Sequence, residues 1–272
     1  MTHIAVIGGS LAGLRAVETL RTDGFSGNIT VVNAEDGAPY DRPPLSKKFL
    51  SGEWEADRIQ LRKPSDIDEL GATWLNSTHA TALNVATREL TLNTSSVLNF
   101  DACIIATGGI ARELPQQPHA RGIHQLRTLH DAQGLREELQ PGKNLVVIGA
   151  GFIGLEAAAT AVARGCTVTV LEGLPAPLIR GLGEDMGTAA TAIHATQGVK
   201  IRCNVRVQGI ETNTNGVTGV RISDATGESM VAADVVLVGI GVAPATQWLE
   251  GSGLAVNDGA VCDAHLQAAP GV

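Results

Sequence analysis

Short apolar runs, glycine turns and amphipathic stretches follow one another along the chain, and their order is repeated. In the first copy a buried strand at His3–Ile7 enters the turn GGSLAG, and a helix continues through Arg21. In the second copy a strand at Asn144–Ile148 enters GAGFIG, and an Ala-rich helix continues to about Arg164. A β-branched strand that runs through glycines into a helix is typical of a βαβ unit. The repeat therefore predicts two related α/β folds.

Each copy continues with a second strand and then with β-hairpins. The second strands, NITVVNAE and CTVTVLE, end on Glu35 and Glu172. The stretch HATALNVATRELTLN has the alternation of a hairpin, and the Asn215-Gly216 step is a hairpin-turn signal. Both copies are thus predicted to combine a parallel sheet with a second, antiparallel one.

The closing strands, within NFDACIIATGG and ADVVLVGIGVAP, also correspond. Asp101 precedes Gly108 by the same seven positions that separate Asp234 from Gly241. We predict an α/β fold with two Rossmann-like dinucleotide-binding domains, each three-layered with a central parallel sheet and a β-meander crossover. The expected domain segments are 1–112, 113–238 and a return segment at 239–272, and the Pro-containing stretch 111–122 is predicted to cross between domains.

Composition and charge narrow the class of protein. The chain has 272 residues, 44% of them hydrophobic, and a net charge of −8. No basic stripe is present to neutralise phosphates, which argues against nucleic acid as a partner. No apolar run is long enough to span a bilayer, and a strand begins by Ile4 without a charged region before it, so a cytoplasmic protein is expected.

The cysteines give no sign of redox or metal chemistry. Cys103, Cys166, Cys203 and Cys262 lie far apart, and no C-x-x-C pair is present. We expect all four to be small buried hydrophobic residues. Because the histidines form no H-x-x-x-H pair and no Ser/His/Asp arrangement stands out, the sequence predicts no metal site and no hydrolytic site.

The second glycine turn suits a dinucleotide. A pyrophosphate binds to the free N–H groups at a helix N-terminus, and no side chain can stand between them. Gly149, Gly151 and Gly154 complete the fingerprint, and Glu172 can accept hydrogen bonds from a ribose diol while its charge repels a 2′-phosphate. Because no Arg or Lys is adjacent to Glu172, NADH is favoured over NADPH. A plain strand-to-helix turn is the alternative.

The first glycine turn departs from the fingerprint at one position. Gly8 and Gly13 are in place, but Ser10 occupies the middle position beside Gly9. A serine adds a Cβ where backbone approaches phosphate, although its hydroxyl can donate a hydrogen bond instead. A plain turn is again the alternative. A protein with two dinucleotide sites can pass a hydride between them, which is the logic of a flavoprotein reduced by a nicotinamide.

Several further motifs carry a family resemblance. The segment PYDRPPLSKKFL at Pro39–Leu50, together with IIATGG, LRTLHDAQGLREEL, VVIGAGFIGLEAAA and VLVGIGVAP, resembles the FAD-dependent NADH:ferredoxin or rubredoxin reductases that serve bacterial oxygenases. These are kin of the pyridine nucleotide-disulfide oxidoreductases. The resemblance implies FAD and NADH as cofactors and an iron-sulfur protein, a ferredoxin or rubredoxin, as electron acceptor. It makes 1–112 and the return segment 239–272 the FAD-binding domain, and 113–238 the NADH-binding domain.

The resemblance also implies roles for individual residues. Those matched to FAD-binding positions are Gly8, Ser10, Gly13, Glu35, Arg42, Lys47, Ala80, Thr107, Gly108 and Arg127. Those matched to NADH-binding positions are Gly149, Gly151, Phe152, Ile153, Gly154, Glu172, Arg180 and Gly241.

Two further residues are implied to act together at the reaction centre. Glu156 matches a glutamate that pairs with the residue equivalent to Lys47 where nicotinamide meets flavin, and the pair would orient the nicotinamide. The alternatives are ordinary. A glutamate in the first turn of a helix gains about 0.3–1 kcal/mol from the macrodipole wherever it lies, and Lys47 and Arg42 could be solvated loop residues.

The family also continues beyond the position that corresponds to Val272. Its members add a strand with a Gly-Asp pair that contacts FAD, and then a C-terminal domain, so we expect a truncated chain with weakened FAD binding. Two other functions stay open at this point. One is a dinucleotide-binding fragment without turnover. The other is an NADH oxidase or nitrite reductase-type relative with a different acceptor.

Overall fold

The computed structural model describes residues Thr2–Val272. The strands, in chain order, are β1 (His3–Ile7), β2 (Asn28–Val32), β3 (Thr73–Leu75), β4 (Ala80–Asn84), β5 (Glu89–Leu92), β6 (Val97–Asn99), β7 (Ala102–Ile105), β8 (Gly109–Ala111), β9 (Ile123–His124), β10 (Asn144–Ile148), β11 (Thr167–Leu171), β12 (Val199–Arg202), β13 (Arg206–Asn213), β14 (Gly216–Asp224), β15 (Gly227–Ala232), β16 (Val235–Val238) and β17 (Val242–Pro244). The helices are α1 (Leu11–Thr22), α2 (Lys48–Ser51), α3 (Pro64–Asp68), α4 (Leu129–Glu138), α5 (Phe152–Ala163), α6 (Ile179–Leu182) and α7 (Glu184–Thr196). Three 3₁₀ turns lie at Pro43–Ser46, Ala56–Ile59 and Gln247–Leu249.

The chain divides into two compact units. The first unit contains residues 2–41, Gln60–Ile110 and Ala243–Val272, and the second contains Arg42–Ile59 and Ala111–Val242. The segment Arg42–Ile59, which lies within the predicted segment 1–112, therefore groups with the second unit. Its buried side chains Leu45, Phe49 and Leu50 belong to a short 3₁₀ turn and helix that pack on α5.

The first unit has the predicted three layers. Its parallel sheet has the strand order β3-β2-β1-β7, and a separate antiparallel meander has the order β4-β5-β6. Successive side chains of a strand point to opposite faces of the sheet. Ile4 and Val6 of β1 accordingly join a cluster with Val17 of α1. Ala5 and Ile7 join a second cluster with residues of the meander.

The second unit repeats this architecture with a wider sheet. The parallel order is β12-β11-β10-β16-β9, and the meander is β13-β14-β15. Val146 and Ile148 of β10 pack with Val220 and Ile222 of the meander. The hairpin between β13 and β14 turns at Asn213↔Gly216. The predicted α/β fold class, with two three-layered Rossmann-like units, is thus confirmed.

The same hydrogen bond fixes, in each unit, the strand that enters the glycine turn. The backbone N–H of His3 donates to Asp101 Oδ2 at 2.7 Å, and that of Asn144 donates to Asp234 Oδ2 at 2.8 Å. In the second unit the bond from Asn144 is the main reason that the pKa of Asp234 lies below its ordinary value, with Lys143 assisting. The matched pair agrees with the spacing that predicts two related folds.

Two expectations from the sequence are wrong. Strand β2 ends at Val32, three residues before Glu35, because its partner β1 ends at Ile7, opposite Val32. Strand β11 likewise ends at Leu171, one residue before Glu172. Cys262 is exposed, whereas Cys103 and Cys166 are buried and Cys203 is half-buried. Cys262 follows the isolated bridge Val256↔Ala260, in a stretch whose side chains are mostly exposed.

Within Thr2–Val272, no helix is long and apolar enough to cross a membrane.

Candidate functional site

Two glycines of the second turn are required by the packing of the protein itself. Gly149 has φ 100°, and a Cβ there would collide with the carbonyl oxygen of Gly239. A Cβ at Gly154 would collide with the carbonyl oxygen of Gly149. These glycines let the end of β10, the start of α5 and the loop after β16 approach one another closely, as the Rossmann turn requires.

Gly151 has a different reason to lack a side chain. It is the N-cap of α5 with φ −76°, a conformation that any residue adopts. A Cβ at this position would have no other part of the described chain within 4 Å. The space lies in front of the first N–H groups of α5, which have no partner within the helix. The turn therefore offers an open cradle that fits the diphosphate of a dinucleotide.

A cavity of about 460 Å³ opens beside this turn. Such a volume lies within the range of small-molecule sites. Six of the eight residues matched to NADH line it, namely Gly149, Gly151, Phe152, Glu172, Arg180 and Gly241. Of the remaining two, Ile153 lines an adjacent depression of about 220 Å³, and Gly154 is buried in the first turn of α5.

The Glu172 carboxylate is held at this cavity by backbone N–H groups. Its Oε2 accepts from Ala150 N at 2.7 Å, and its Oε1 accepts from Leu174 N at 3.0 Å. A carboxylate has about four acceptor positions, so capacity for hydroxyl donors is left. Burial, and after it the negative charge of Glu172, raises the pKa of the Cys203 thiol. Cys203 is therefore a neutral neighbour of the site.

The first-unit turn has the same backbone demands. A Cβ at Gly8, with φ 112°, would collide with the carbonyl oxygen of Ala106, and a Cβ at Gly13 would collide with that of Gly8. Ser10 is the N-cap of α1, yet its hydroxyl makes no capping hydrogen bond. A serine N-cap ordinarily accepts such a bond. The turn geometry fits a dinucleotide, and the Ser10 hydroxyl is not used by its own helix.

Glu35 and Tyr40 line a small cleft of the first unit. The Tyr40 hydroxyl donates to Glu35 Oε2. Gly9, Ser10 and Asn33 line the same cleft. Tyr40 is a site residue that was not predicted, and its only signal in the sequence is an aromatic side chain five positions after a candidate ribose ligand.

The other first-unit candidates occupy two places. Ala80 begins β4 and pairs with Leu92 across the meander. Thr107 and Gly108 follow β7, and both bond to one residue: Thr107 Oγ1 donates to Ala245 O at 3.0 Å, while Ala245 N donates to Gly108 O at 2.9 Å. This pair of bonds fixes the loop after β7.

Arg42, Lys47 and Arg127, all matched to FAD, belong to the second unit. Arg42 Nη1 donates to the carbonyl oxygen of Arg127 at 2.5 Å. Lys47 Nζ lies 2.7 Å from Glu156 Oε2, so the ion pair implied by the resemblance is present. The Lys47 side chain is 46% exposed and that of Glu156 is 35% exposed.

A neighbouring serine completes this cluster. Ser46 Oγ donates to the same oxygen, Glu156 Oε2, at 2.5 Å, and Ser46 is buried. Ser46 is a further site residue that was not predicted. Its position beside Lys47 was the only signal that could have drawn attention to it.

The two layered units with glycine turns define a protein of the dinucleotide-binding class. Residues 2–272 match the family model described as pyridine nucleotide-disulphide oxidoreductase, and the chain belongs to this family. It is 36% identical over 266 residues to rhodocoxin reductase of Rhodococcus erythropolis, covering 97% of this chain and 61% of that protein. It is 34% identical over 265 residues to the benzene 1,2-dioxygenase system ferredoxin–NAD(+) reductase subunit of Pseudomonas putida, covering 96% of this chain and 63% of that protein.

A solved structure agrees with these relatives. The chain superimposes on the reductase in the covalent putidaredoxin reductase–putidaredoxin complex with a TM-score of 0.93 and 34% identity, covering 98% of this chain and 64% of that one. The chain thus spans somewhat less than two thirds of the length of these relatives.

Proposed function

We propose that this chain forms the two-nucleotide part of an FAD-dependent oxidoreductase that takes a hydride from NADH and passes single electrons to a ferredoxin or rubredoxin. The observation that carries the proposal is the pair of glycine turns. The second turn leaves open space at Gly151, in front of the N-terminus of α5, and the first places at the N-terminus of α1 the Ser10 hydroxyl, which makes no capping hydrogen bond. The names of the relatives, which include a ferredoxin–NAD(+) reductase of a dioxygenase system, support an oxygenase system as the setting.

We assign FAD to the first glycine turn and NADH to the second. When bound, NADH supplies a hydride, and FAD converts this two-electron delivery into single-electron transfers. On the side of the protein, Gly8, Ser10 and Gly13 would hold the FAD diphosphate, with Glu35 toward the ribose. The other proposed contacts to FAD are Arg42, Lys47, Ala80, Thr107, Gly108 and Arg127.

In this proposal NADH binds in the cavity of about 460 Å³ beside the second glycine turn. The first N–H groups of α5, in front of which Gly151 leaves open space, would bind the diphosphate, while Gly149 and Gly154 allow the close packing of the turn. Glu172 would accept hydrogen bonds from the ribose hydroxyls and repel a 2′-phosphate. The further contacts are Phe152, Ile153, Arg180 and Gly241, which line the cavity or the adjacent depression.

Lys47 and Glu156 would orient the nicotinamide rather than exchange protons with it. Hydride transfer needs a fixed distance and angle between the reacting atoms, and orientation of this kind lowers a barrier strongly. The positive charge of Lys47 and the negative charge of Glu156 neutralise each other, so the pair adds polar contacts without adding net charge.

A cytoplasmic location belongs to the same proposal, since free cysteines are typical of reducing compartments.

The experiment is NADH-driven reduction of a dye acceptor by the FAD-loaded chain, compared with Glu156→Gln and Glu53→Gln. Glu53 Oε1 lies 2.9 Å from Nζ of Lys48, the residue that follows Lys47. Glu53→Gln therefore removes one negative charge from a neighbouring ion pair, as Glu156→Gln does from the proposed site. We expect turnover in the unsubstituted chain, a lowered kcat in Glu156→Gln and no change in Glu53→Gln.

A dinucleotide-binding fragment without turnover is the second candidate, because the two glycine turns by themselves support nucleotide binding and not a reaction. The same assay separates the two functions. Binding of FAD and NADH with no dye reduction contradicts the oxidoreductase and supports the fragment.

A further inference from the structure

The residues around Lys47 are held to α5 by a row of polar side chains. Glu156, Thr160 and Arg164 follow one another at intervals of four, so they lie on one face of the helix and its C-cap. The 3₁₀ turn Pro43–Ser46 and helix α2 pack against α5. The three polar residues thus face the segment that carries Lys47.

Each of the three bonds to the segment at a successive point. Glu156 Oε2 accepts from Ser46 Oγ and Lys47 Nζ. Thr160 Oγ1 donates to the carbonyl oxygen of Ser46 at 2.8 Å. Arg164 Nη1 donates to the carbonyl oxygen of Leu50 at 2.9 Å. The bonds run in the same order along α5 and along the segment, so both ends of the Lys47 region are fixed.

The direction of the Thr160 hydroxyl is unusual for a helix. A threonine within a helix commonly donates to the carbonyl four residues earlier. Thr188 and Thr191 of α7 do this, bonding to Glu184 O and Gly187 O. Thr160 instead bonds out of its helix to a residue 114 positions away in the sequence.

Arg164 fixes the far end of the row in a similar way. Besides Leu50 O, its guanidinium donates to Leu139 O at 3.0 Å and to Arg136 O at 2.9 Å. These carbonyl groups lie at the C-terminal ends of α4 and α2, where backbone carbonyls have no hydrogen-bond partner within their own helix. Arg164 therefore ties two chain segments, α2 and the end of α4, to one rigid, planar group at the end of α5.

We infer that Thr160, supported by Arg164, is a positioning residue that sets the backbone of Ser46 and thereby places Lys47 and the Ser46 hydroxyl on Glu156. A half-exposed ion pair is screened by solvent and holds its own geometry weakly. The backbone bond at Ser46 supplies the missing restraint, because Ser46 directly precedes Lys47. The catalytic meaning of this placement rests on the proposed function.

The test measures how readily the Lys47 amine is acylated by acetic anhydride at fixed pH, with mass spectrometry of the labelled peptides. Lys48 is an internal control, since its partner Glu53 lies outside the row. Thr160→Val removes the hydroxyl at nearly constant volume, Thr160→Ser keeps it, and Thr191→Val removes a hydroxyl from α7. If Thr160→Val fails to fold, Thr160→Ala replaces it.

We expect Thr160→Val to raise Lys47 labelling relative to Lys48 by about twofold to fivefold, the range set by the strength of a partly exposed ion pair. Thr160→Ser restores the ratio, and Thr191→Val leaves it unchanged. An unchanged ratio in Thr160→Val, or an equal rise in Thr191→Val, overturns the inference.

Kinetics provide the second measurement. With FAD and NADH, Thr160→Val is expected to lower kcat for dye reduction while KM is kept, because orientation is lost and nucleotide binding is not. A change in KM alone, or no change in kcat, contradicts the positioning role. If the unsubstituted chain shows no turnover, the proposed function fails, and the labelling ratio still decides whether Thr160 positions Lys47.

Discussion

The carboxylate of Glu172 accepts a hydrogen bond from the backbone N–H of Ala150, the residue between the first two glycines of the turn. The end of strand β11 and the glycine turn are thereby connected by a hydrogen bond of the protein itself. A carboxylate fixed in this way needs no rearrangement to accept the hydroxyls of a ribose. This preorganisation reduces the entropy cost of binding.

Glu172→Arg is therefore expected to reverse the nucleotide preference. Loss of charged hydrogen bonds costs about 1.5–3 kcal/mol each, so NADH affinity should fall by about 10- to 100-fold. The new positive charge attracts a 2′-phosphate, and NADPH affinity should rise. Isothermal titration with both nucleotides measures the ratio. Glu228→Arg, which makes the same charge change on exposed β15, is the control, and an unaltered preference in Glu172→Arg contradicts the ribose assignment.

Two glycines of the same turn should respond differently to alanine. Gly154→Ala places a Cβ against the carbonyl oxygen of Gly149, and overpacking of this kind costs about 1–3 kcal/mol of unfolding free energy. Gly151→Ala meets open space, so stability should change by less than about 1 kcal/mol, the usual cost at an N-cap. Its NADH binding should nevertheless be lost. Thermal unfolding and nucleotide titration of both variants check these expectations. If Gly151→Ala binds NADH with normal affinity, the diphosphate does not bind at the N-terminus of α5.

Much of the fold follows from local sequence patterns. The continuous apolar run of β1 and the glycines after β10 are local features, and strand, turn and helix form where they predict. The placement of Arg42–Ile59 is different, because it depends on bonds such as Thr160 to Ser46 between residues 114 positions apart. Periodicity carries no information about such contacts. Tyr40 was missed for a related reason, since only the folded chain brings its hydroxyl onto Glu35.

Acid should weaken the second unit through Asp224. Hydrogen bonds from the Thr226 hydroxyl and N–H, and then from Arg202, lower the pKa of this carboxyl from 3.8 to about 2. A carboxyl with a lowered folded pKa contributes stability above its unfolded pKa and loses that contribution as pH falls through the folded value. The unfolding free energy should therefore decline between pH 3.8 and about pH 2.

Urea unfolding across this pH window measures the effect. Asp224→Asn should show a shallower decline than the unsubstituted chain, while Asp258→Asn, in an exposed turn, serves as the matched control. Equal slopes for all three proteins would show that the bonds to Asp224 do not contribute to folding.

The thiols should react in the order of their exposure. Cys262 is exposed, whereas burial raises the pKa of Cys103 to about 12. Since the thiolate is the reactive form, Ellman's reagent should modify Cys262 rapidly in the folded chain and Cys103 only after denaturation. Cys262→Ser should abolish the rapid phase. A rapid phase that persists in this variant would place the reactive thiol elsewhere.

Simultaneous binding of two different dinucleotides is the most direct test of the account. Native mass spectrometry of the chain mixed with FAD and NADH should show a species that carries one of each, because each glycine turn has its own cradle. Gly151→Ala should keep FAD and lose NADH. Species with only one nucleotide, in which FAD and NADH displace each other, would contradict two separate sites and with them the proposed transfer from NADH to FAD.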